Sequence, residues 1–292
     1  MKCQSPATQS TTLDFPEAMM PKLTVQGGEI YYEVHGAGPP LFLISGLGGL
    51  ASYWRPQLPA LTDRFQVITY DHRGTGQSEK SKIRYSVEQM TADVIGLMDG
   101  LGIPGAHMLG HSTGGAIGQT LALKHGRRLK SLVLFATWCR KDPFFDRAFA
   151  VRKETLAKSG AEGYVRASNI SLHSPWWVSQ NFPQLLKEEA LAIANFPPPE
   201  ILTSRIDAIC EFDLAGRLKE IKAPTLILCA KDDYVTPPFM SEEIARLLPG
   251  AQLVWLETGG HVCSKTTPEP FNALIRSWFI AQQDGAAWSP PG

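Results

Sequence analysis

The chain has 292 residues, 43% hydrophobic and 19% charged, and its 28 Lys plus Arg balance 28 Asp plus Glu to a formal net charge of zero. That length suits one large domain, or one domain with an insertion, and is enough to bury a substantial core. No run of like charge reaches five residues, so nucleic acid has no electrostatic footprint here; nor does any stretch approach the roughly 18 apolar residues that cross a membrane.

Residues 1–20 are polar and lack the apolar centre of a signal peptide, which predicts a disordered extension, with Met19 or Met20 as an alternative start to Met1. From Gly27 onward, turn signals alternate with short apolar runs. "EIYYEVHG" (29–36), "PLFLIS" (40–45) and "FQVITYD" (65–71) read as strands, rich in β-branched and aromatic residues. Over 86–101, Val87, Met90, Val94, Leu97, Met98 and Leu101 fall at helical spacing behind Ser86, a predicted N-cap. Strand 106–111, helix 114–125 and strand 129–136 follow. After a gap come strand 225–230, helix 238–248, strand 252–257 and helix 268–283.

Strands alternating with helices predict an α/β fold with a mostly parallel sheet covered on both faces. Between 138 and 215 the strand signal disappears, and "SPWW" (174–177) and "NFPPPE" (195–200) break a helical stretch too long to be a loop. The expectation is a core of residues 21–137 and 216–283, a helical cap at 138–215, and a flexible tail at 284–292. The five cysteines form no C-x-x-C pair, which favours a reducing cytoplasm over a disulfide framework.

Gly110-His111-Ser112-Thr113-Gly114 matches G-x-S-x-G, a weak signal alone, which a tight turn would also explain. Here it closes an apolar strand and opens a helix, the context that exposes a serine hydroxyl above a sheet. Serine needs a base to take its proton. Of seven histidines, His261 in "ETGGHVC" follows the last strand on a Gly-Gly loop at the sheet's carboxyl edge. The base needs a carboxylate to fix its tautomer. Asp233, which opens D-x-V-x-P after strand 225–230, is the sharper candidate, and Asp232 is the adjacent alternative. The chain order Ser, Asp, His is that of the α/β-hydrolase fold. Backbone N–H groups of Thr113, and of Leu47 in "SGLGG" (45–49), are the candidate oxyanion donors. No metal and no cofactor is implied.

A rival class reads "GLGGLA" (46–51) with Asp71 as a dinucleotide-binding outline, hence an NAD-dependent oxidoreductase. Pro56 and Pro59 interrupt the helix that should follow, and the rival leaves Ser112, Asp233 and His261 idle.

"LFLISGLGG", "YDHRGTGQS", "GHSTGG", "AKDDYVTPP" and "GGH" together resemble the α/β-hydrolase superfamily across about residues 22–282. More narrowly, "LISGLGGLASYWRPQLPAL" and "YDHRGTGQS…YSVEQM" look like the aminoacrylate hydrolases of uracil degradation and the 3-oxoadipate enol-lactonases. The cap stretch "SGAEGYVRASNISLHSPWWV" and the closing "ETGGHVCSKTTPEPFNALI" lean toward the first. Ser45 departs from the pattern, since many members carry His there.

The resemblance implies a serine hydrolase acting on a small, carboxylate-bearing molecule, either aminoacrylate or a small ester or enol-lactone. Arg140 and Arg205 are candidates to pair the carboxylate, against a bland reading as solvated surface charges, and Trp176 and Trp177 are candidates for substrate wall or cap core. A triad-bearing ligand receptor is the alternative of another class, and a peroxide-using side activity is open to the same triad. Ser112 at the elbow demotes dehalogenases and epoxide hydrolases, which place Asp there. A homodimer is compatible with the sequence.

Overall fold

Eight strands form one sheet in the computed structural model, which describes residues 21–291, so the expected extension at 1–20 lies outside the described residues. The strands are β1 (Lys22–Val25), β2 (Gly28–His35), β3 (Pro40–Ile44), β4 (Gln66–Tyr70), β5 (Ala106–His111), β6 (Leu129–Phe135), β7 (Thr225–Ala230) and β8 (Gln252–Leu256). Their spatial order is β1-β2-β4-β3-β5-β6-β7-β8. β2 runs antiparallel to its neighbours, and every other pair is parallel. The short edge strand β1 has no counterpart among the predicted strands.

Ten helices complete the described residues: α1 (Leu58–Leu61), α2 (Val87–Gly100), α3 (Thr113–Lys124), α4 (Pro143–Leu172), α5 (Pro175–Gln180), α6 (Phe182–Ala194), α7 (Pro199–Glu211), α8 (Pro238–Leu247), α9 (Cys263–Thr266) and α10 (Pro268–Asp284), with short 3-10 turns between. Ser86 caps α2 by accepting from Gln89 N–H at 3.0 Å.

Two cores lie on the sheet's two faces because side chains alternate along each strand. Phe42, Ile44, Met108, Leu132, Leu134 and Ile227 face α2, α3 and α8. Leu41, Leu43, Leu109, Val133, Phe135, Leu226 and Leu228 face Trp54, Leu61 and the apolar stripe of α10, which carries Phe271, Ile275, Trp278 and Phe279. The parallel strands are buried on both faces, which is why they read as continuous apolar runs.

Between β6 and β7 the chain makes four helices, α4 to α7. A break at Gly160 (φ 63°) divides α4 into two helical pieces. A single antiparallel bridge, Arg140 to Asp213, joins the ends of this helical segment.

The tail at 285–291 has no regular element, and one residue of it docks on α10. Trp288 meets Trp278 edge-on at 5.2 Å, and its Nε1–H donates to Ser277 Oγ at 3.0 Å. An indole offers a large area to bury together with one donor to satisfy, and α10 supplies both.

Candidate active site

The loops after β3, β4, β5, β6, β7 and β8 all leave the sheet at its carboxyl edge, where open α/β sheets place their ligands. Ser112 lies between β5 and α3 with φ 53° and ψ −114°, a backbone conformation that L-residues rarely adopt. Close packing holds it there. A Cβ at Gly110 would overlap the carbonyl of Gly114, and one at Gly114 would overlap the carbonyl of Ile44. Ser112 N–H donates to Phe135 O at 2.9 Å, and Thr137 Oγ1 donates to Ser112 O at 2.8 Å. Thr137 arrives there because Ala136, the only other described non-glycine at positive φ (48°), turns the chain after β6.

After β7 the two adjacent acids divide their work. Asp233 is buried, and its Oδ1 accepts from the N–H groups of Val235 and Thr236 at 2.8 and 3.0 Å. Its Oδ2 accepts from Thr236 Oγ1 at 2.9 Å and meets His261 Nδ1, also at 2.9 Å. A carboxylate only accepts, so Nδ1 of His261 donates to Asp233, and Nε2 lies on the opposite side of the ring. Asp232 makes no hydrogen bond to His261. Its Oδ1 accepts from Gly260 N–H at 2.9 Å, and its Oδ2 from Thr258 Oγ1 at 2.6 Å and Gly259 N–H at 3.2 Å. It thus clamps the loop that carries the histidine. Burial pushes the Asp232 carboxyl up, but these donors outweigh it and hold the group below its ordinary value.

His111 ties this loop to the elbow. Its Nε2 donates to His261 O at 2.9 Å, its ring stacks on Tyr53 and Phe135 at 4.9 and 4.7 Å, and it lies 4.7 Å from the His261 ring. Burial, with the nearby His261, holds its imidazole neutral, well below the ordinary histidine range. The residue next to Ser112 therefore touches the residue that faces Asp233. Among the described residues no hydrogen bond joins Ser112 Oγ to His261; such bonds commonly tighten only around substrate.

A turn at Gly46–Gly49, closed by Gly49 N–H to Gly46 O at 3.0 Å, sits beside Ser112. A Cβ at Gly46 would stand 3.2 Å from Ser112 Cβ. Leu47 is the second residue of that turn, so its N–H is not spent on the turn's own bond. Thr113 is the first residue of α3, where an N–H has no intrahelical acceptor. The turn is anchored by His72 N–H and Thr75 Oγ1, both donating to Gly49 O at 2.7 and 2.9 Å. Asp71 accepts from Ala51 N–H at 2.8 Å and Gln77 N–H at 2.7 Å. This contradicts the dinucleotide outline: both oxygens of Asp71 are taken by the backbone, and a 3-10 turn (Ala51–Gln57) stands where a phosphate-binding helix should begin.

A family profile described as the alpha/beta hydrolase fold matches residues 39–266. The chain belongs to the α/β-hydrolase family. It is 42% identical over 247 residues to a protein of Azorhizobium caulinodans named "Putative carbamate hydrolase RutD", covering 85% of this chain and 93% of that one. A protein of the same name from Caulobacter segnis is 44% identical over 255 residues, covering 85% and 95%. Among solved structures, the enol-lactonase from Burkholderia xenovorans LB400 superposes with a TM-score of 0.82 at 29% identity, over 89% of this chain and all of that one. A thermophilic esterase from Thermogutta terrifontis gives 0.81 at 27% identity, covering 91% and 99%. The protein is a hydrolase.

The hydrolase's helical segment departs from expectation. Arg140, a candidate carboxylate partner, is half exposed and spends Nε and Nη2 on Glu243 Oε1 at 3.1 and 2.6 Å. It forms a surface ion pair at the segment's base. Arg205, the second candidate, is wholly buried on α7, with both terminal nitrogens engaged by other protein atoms. Trp176 donates Nε1–H to Thr258 Oγ1 at 2.8 Å, and Trp177 stacks on His173 at 4.7 Å. With the Lys265–Glu188 ion pair at 2.9 Å, the Trp176 bond fastens the helical segment to the loop and helix around His261.

Proposed function

We propose that Ser112, His261 and Asp233 are the catalytic residues of this hydrolase. The observation that carries the reading is the buried Asp233–His261 pair at 2.9 Å, held beside a strained Ser112 elbow. In an acyl transfer, Ser112 Oγ attacks the carbonyl carbon while His261 Nε2 takes its proton. The oxyanion takes the N–H groups of Leu47 and Thr113, and His261 then protonates the leaving group. Water reverses the sequence and frees the acid.

For substrate, we propose a small amino-bearing carboxylate whose C–N bond is hydrolysed with release of ammonia, aminoacrylate being the leading case. The close relatives named as carbamate hydrolases favour ammonia-releasing chemistry. With aminoacrylate, a solvent proton added at carbon 2 gives an iminium at carbon 3. Water adds there while His261 Nε2 takes its proton; His261 returns that proton to the amine, and ammonia leaves as the hydroxyl proton passes to solvent, giving an aldehyde acid. Ser112 then hydrogen-bonds the adding water instead of being acylated. The second reading, a small carboxylesterase or enol-lactonase, is favoured by the enol-lactonase superposition. The reading places the enzyme in the cytoplasm, which suits the free thiols of Cys139, Cys210, Cys229 and Cys263.

The experiment is ammonia release from freshly generated 3-aminoacrylate by wild type and Ser112→Ala, corrected for the spontaneous rate, with p-nitrophenyl acetate alongside. Wild-type acceleration on the first substrate, lost in the variant, is the expected result. Acceleration of the ester alone moves the assignment to the second reading. A variant keeping more than about a tenth of wild-type kcat on both substrates contradicts the catalytic assignment.

A further inference from the structure

Arg205 is a cation buried without a counter-ion. It is 0% exposed, and among the described residues no carboxylate forms an ion pair with it. The neighbouring acid Asp93 is already bound by Arg73 at 2.5 and 3.1 Å. Instead, Arg205 Nη1 donates to Arg73 O at 2.9 Å, and Nη2 reaches both Leu47 O at 3.1 Å and His72 Nδ1 at 3.0 Å. Its Nε is buried with no hydrogen-bond partner, and the guanidinium lies 5.8 Å from the Tyr85 ring. Burying a charge carries a large desolvation cost, which makes it a poor way to gain stability alone.

The atoms it meets do account for it. Leu47 O belongs to the Gly46–Gly49 turn that sits beside Ser112, and Arg73 belongs to the loop whose His72 N–H holds the same turn at Gly49. Its planar fork holds two carbonyls and an imidazole nitrogen in fixed directions from a single helix position. His72 can only accept from Arg205 at Nδ1, which fixes its proton on Nε2, and burial holds this imidazole neutral. The positive charge directly behind the turn is therefore unneutralised.

We propose that Arg205 is a positioning residue for the oxyanion turn: delivered by α7 from outside the sheet, it fixes the Leu47 peptide and adds positive potential where the oxyanion forms. This inference rests on the proposed roles of Ser112, Leu47 and Thr113. It makes the helical segment part of the support for the chemistry.

The test uses a neutral substrate, p-nitrophenyl acetate, so that carboxylate pairing plays no part, and active sites are titrated with a fluorophosphonate. Arg205→Met should lower kcat per titrated site by about tenfold to a hundredfold, less than loss of an oxyanion donor itself, with KM within about twofold. Affinity for phenylboronic acid, which mimics the tetrahedral adduct, should fall in step with kcat. Arg205→Lys, which keeps the charge and loses the fork, should recover part of both. An unchanged kcat per site in either variant, whatever the melting temperature, overturns the proposal, and Arg205→Lys carries the test if Arg205→Met does not fold. A loss seen only as a raised KM for acidic substrates also overturns it, in favour of direct substrate pairing. Ser112→Ala serves as the control: if it stays active, the underlying catalytic reading fails separately.

Discussion

The sheet's carboxyl edge and the helical segment between β6 and β7 differ in what fixes their side chains. At the edge, Ser112, Asp233 and His261 lie where strand-end motifs imply, because the backbone next to each motif dictates the geometry. The elbow needs glycines on both sides, and the Asp233 carboxylate is captured by its own following N–H groups. In the helical segment, Arg140, Trp176 and Arg205 have partners distant in sequence, Glu243, Thr258 and Leu47, while Trp177 stacks on His173 only four residues before it. A charged residue in a helix announces nothing of that kind. Roles set by local backbone are legible in a sequence, and roles set by tertiary contact are not.

The largest expected effect separates the two adjacent acids. Asp233→Asn should cost about 10³–10⁴-fold in kcat, because an amide can donate to Nδ1 and so stabilises the wrong tautomer. Asp232→Asn should cost only about tenfold, through a looser histidine loop. Equal losses would erase the division between them. The Asp232 carboxyl also carries a signature in pH. Its folded value lies below the ordinary 3.8, so the folded state binds this proton less readily than the unfolded chain. Its contribution to stability is present above about pH 3.8 and is lost as pH falls through the lower, folded value. The melting-temperature gap between wild type and Asp232→Asn should therefore be steady near neutrality and close in acid; a gap that widens there would reverse the assignment.

A middle-sized effect belongs to His111. Replacing it with Phe keeps the stacking on Tyr53 but leaves His261 O without its donor, and should destabilise the fold by about 1–3 kcal/mol in denaturant titration. His111→Gln, which can restore a donor, should recover part of that. The smallest effect is at Arg140. Since its guanidinium is spent on an exposed ion pair with Glu243, Arg140→Ala should leave kcat and KM within about twofold for acidic and neutral substrates alike. A KM rise confined to acidic substrates would reinstate it as a substrate contact.

Much of the fold was readable because parallel strands buried on both faces leave unbroken apolar runs, and α2 and α10 show plain helical stripes. The edge strand β1 was not, being four residues long with alternate side chains in solvent. In the tail, the Pro, Ser and Gly content hides one residue, Trp288, whose docking depends on α10. At the site, Thr137 and Thr236 are not legible in the sequence, since a threonine after a strand carries no motif. His111 carries a weak signal, since a histidine buried next to Ser112 must spend a ring nitrogen on something close by.

The most direct measurement is peptide mapping by mass spectrometry of enzyme quenched in acid during its first turnover of p-nitrophenyl acetate. The account predicts one acetyl group, on the peptide that contains Ser112, and none in Ser112→Ala. Acetyl on another residue, or a wild-type burst of p-nitrophenol with Ser112 unmodified, would contradict it.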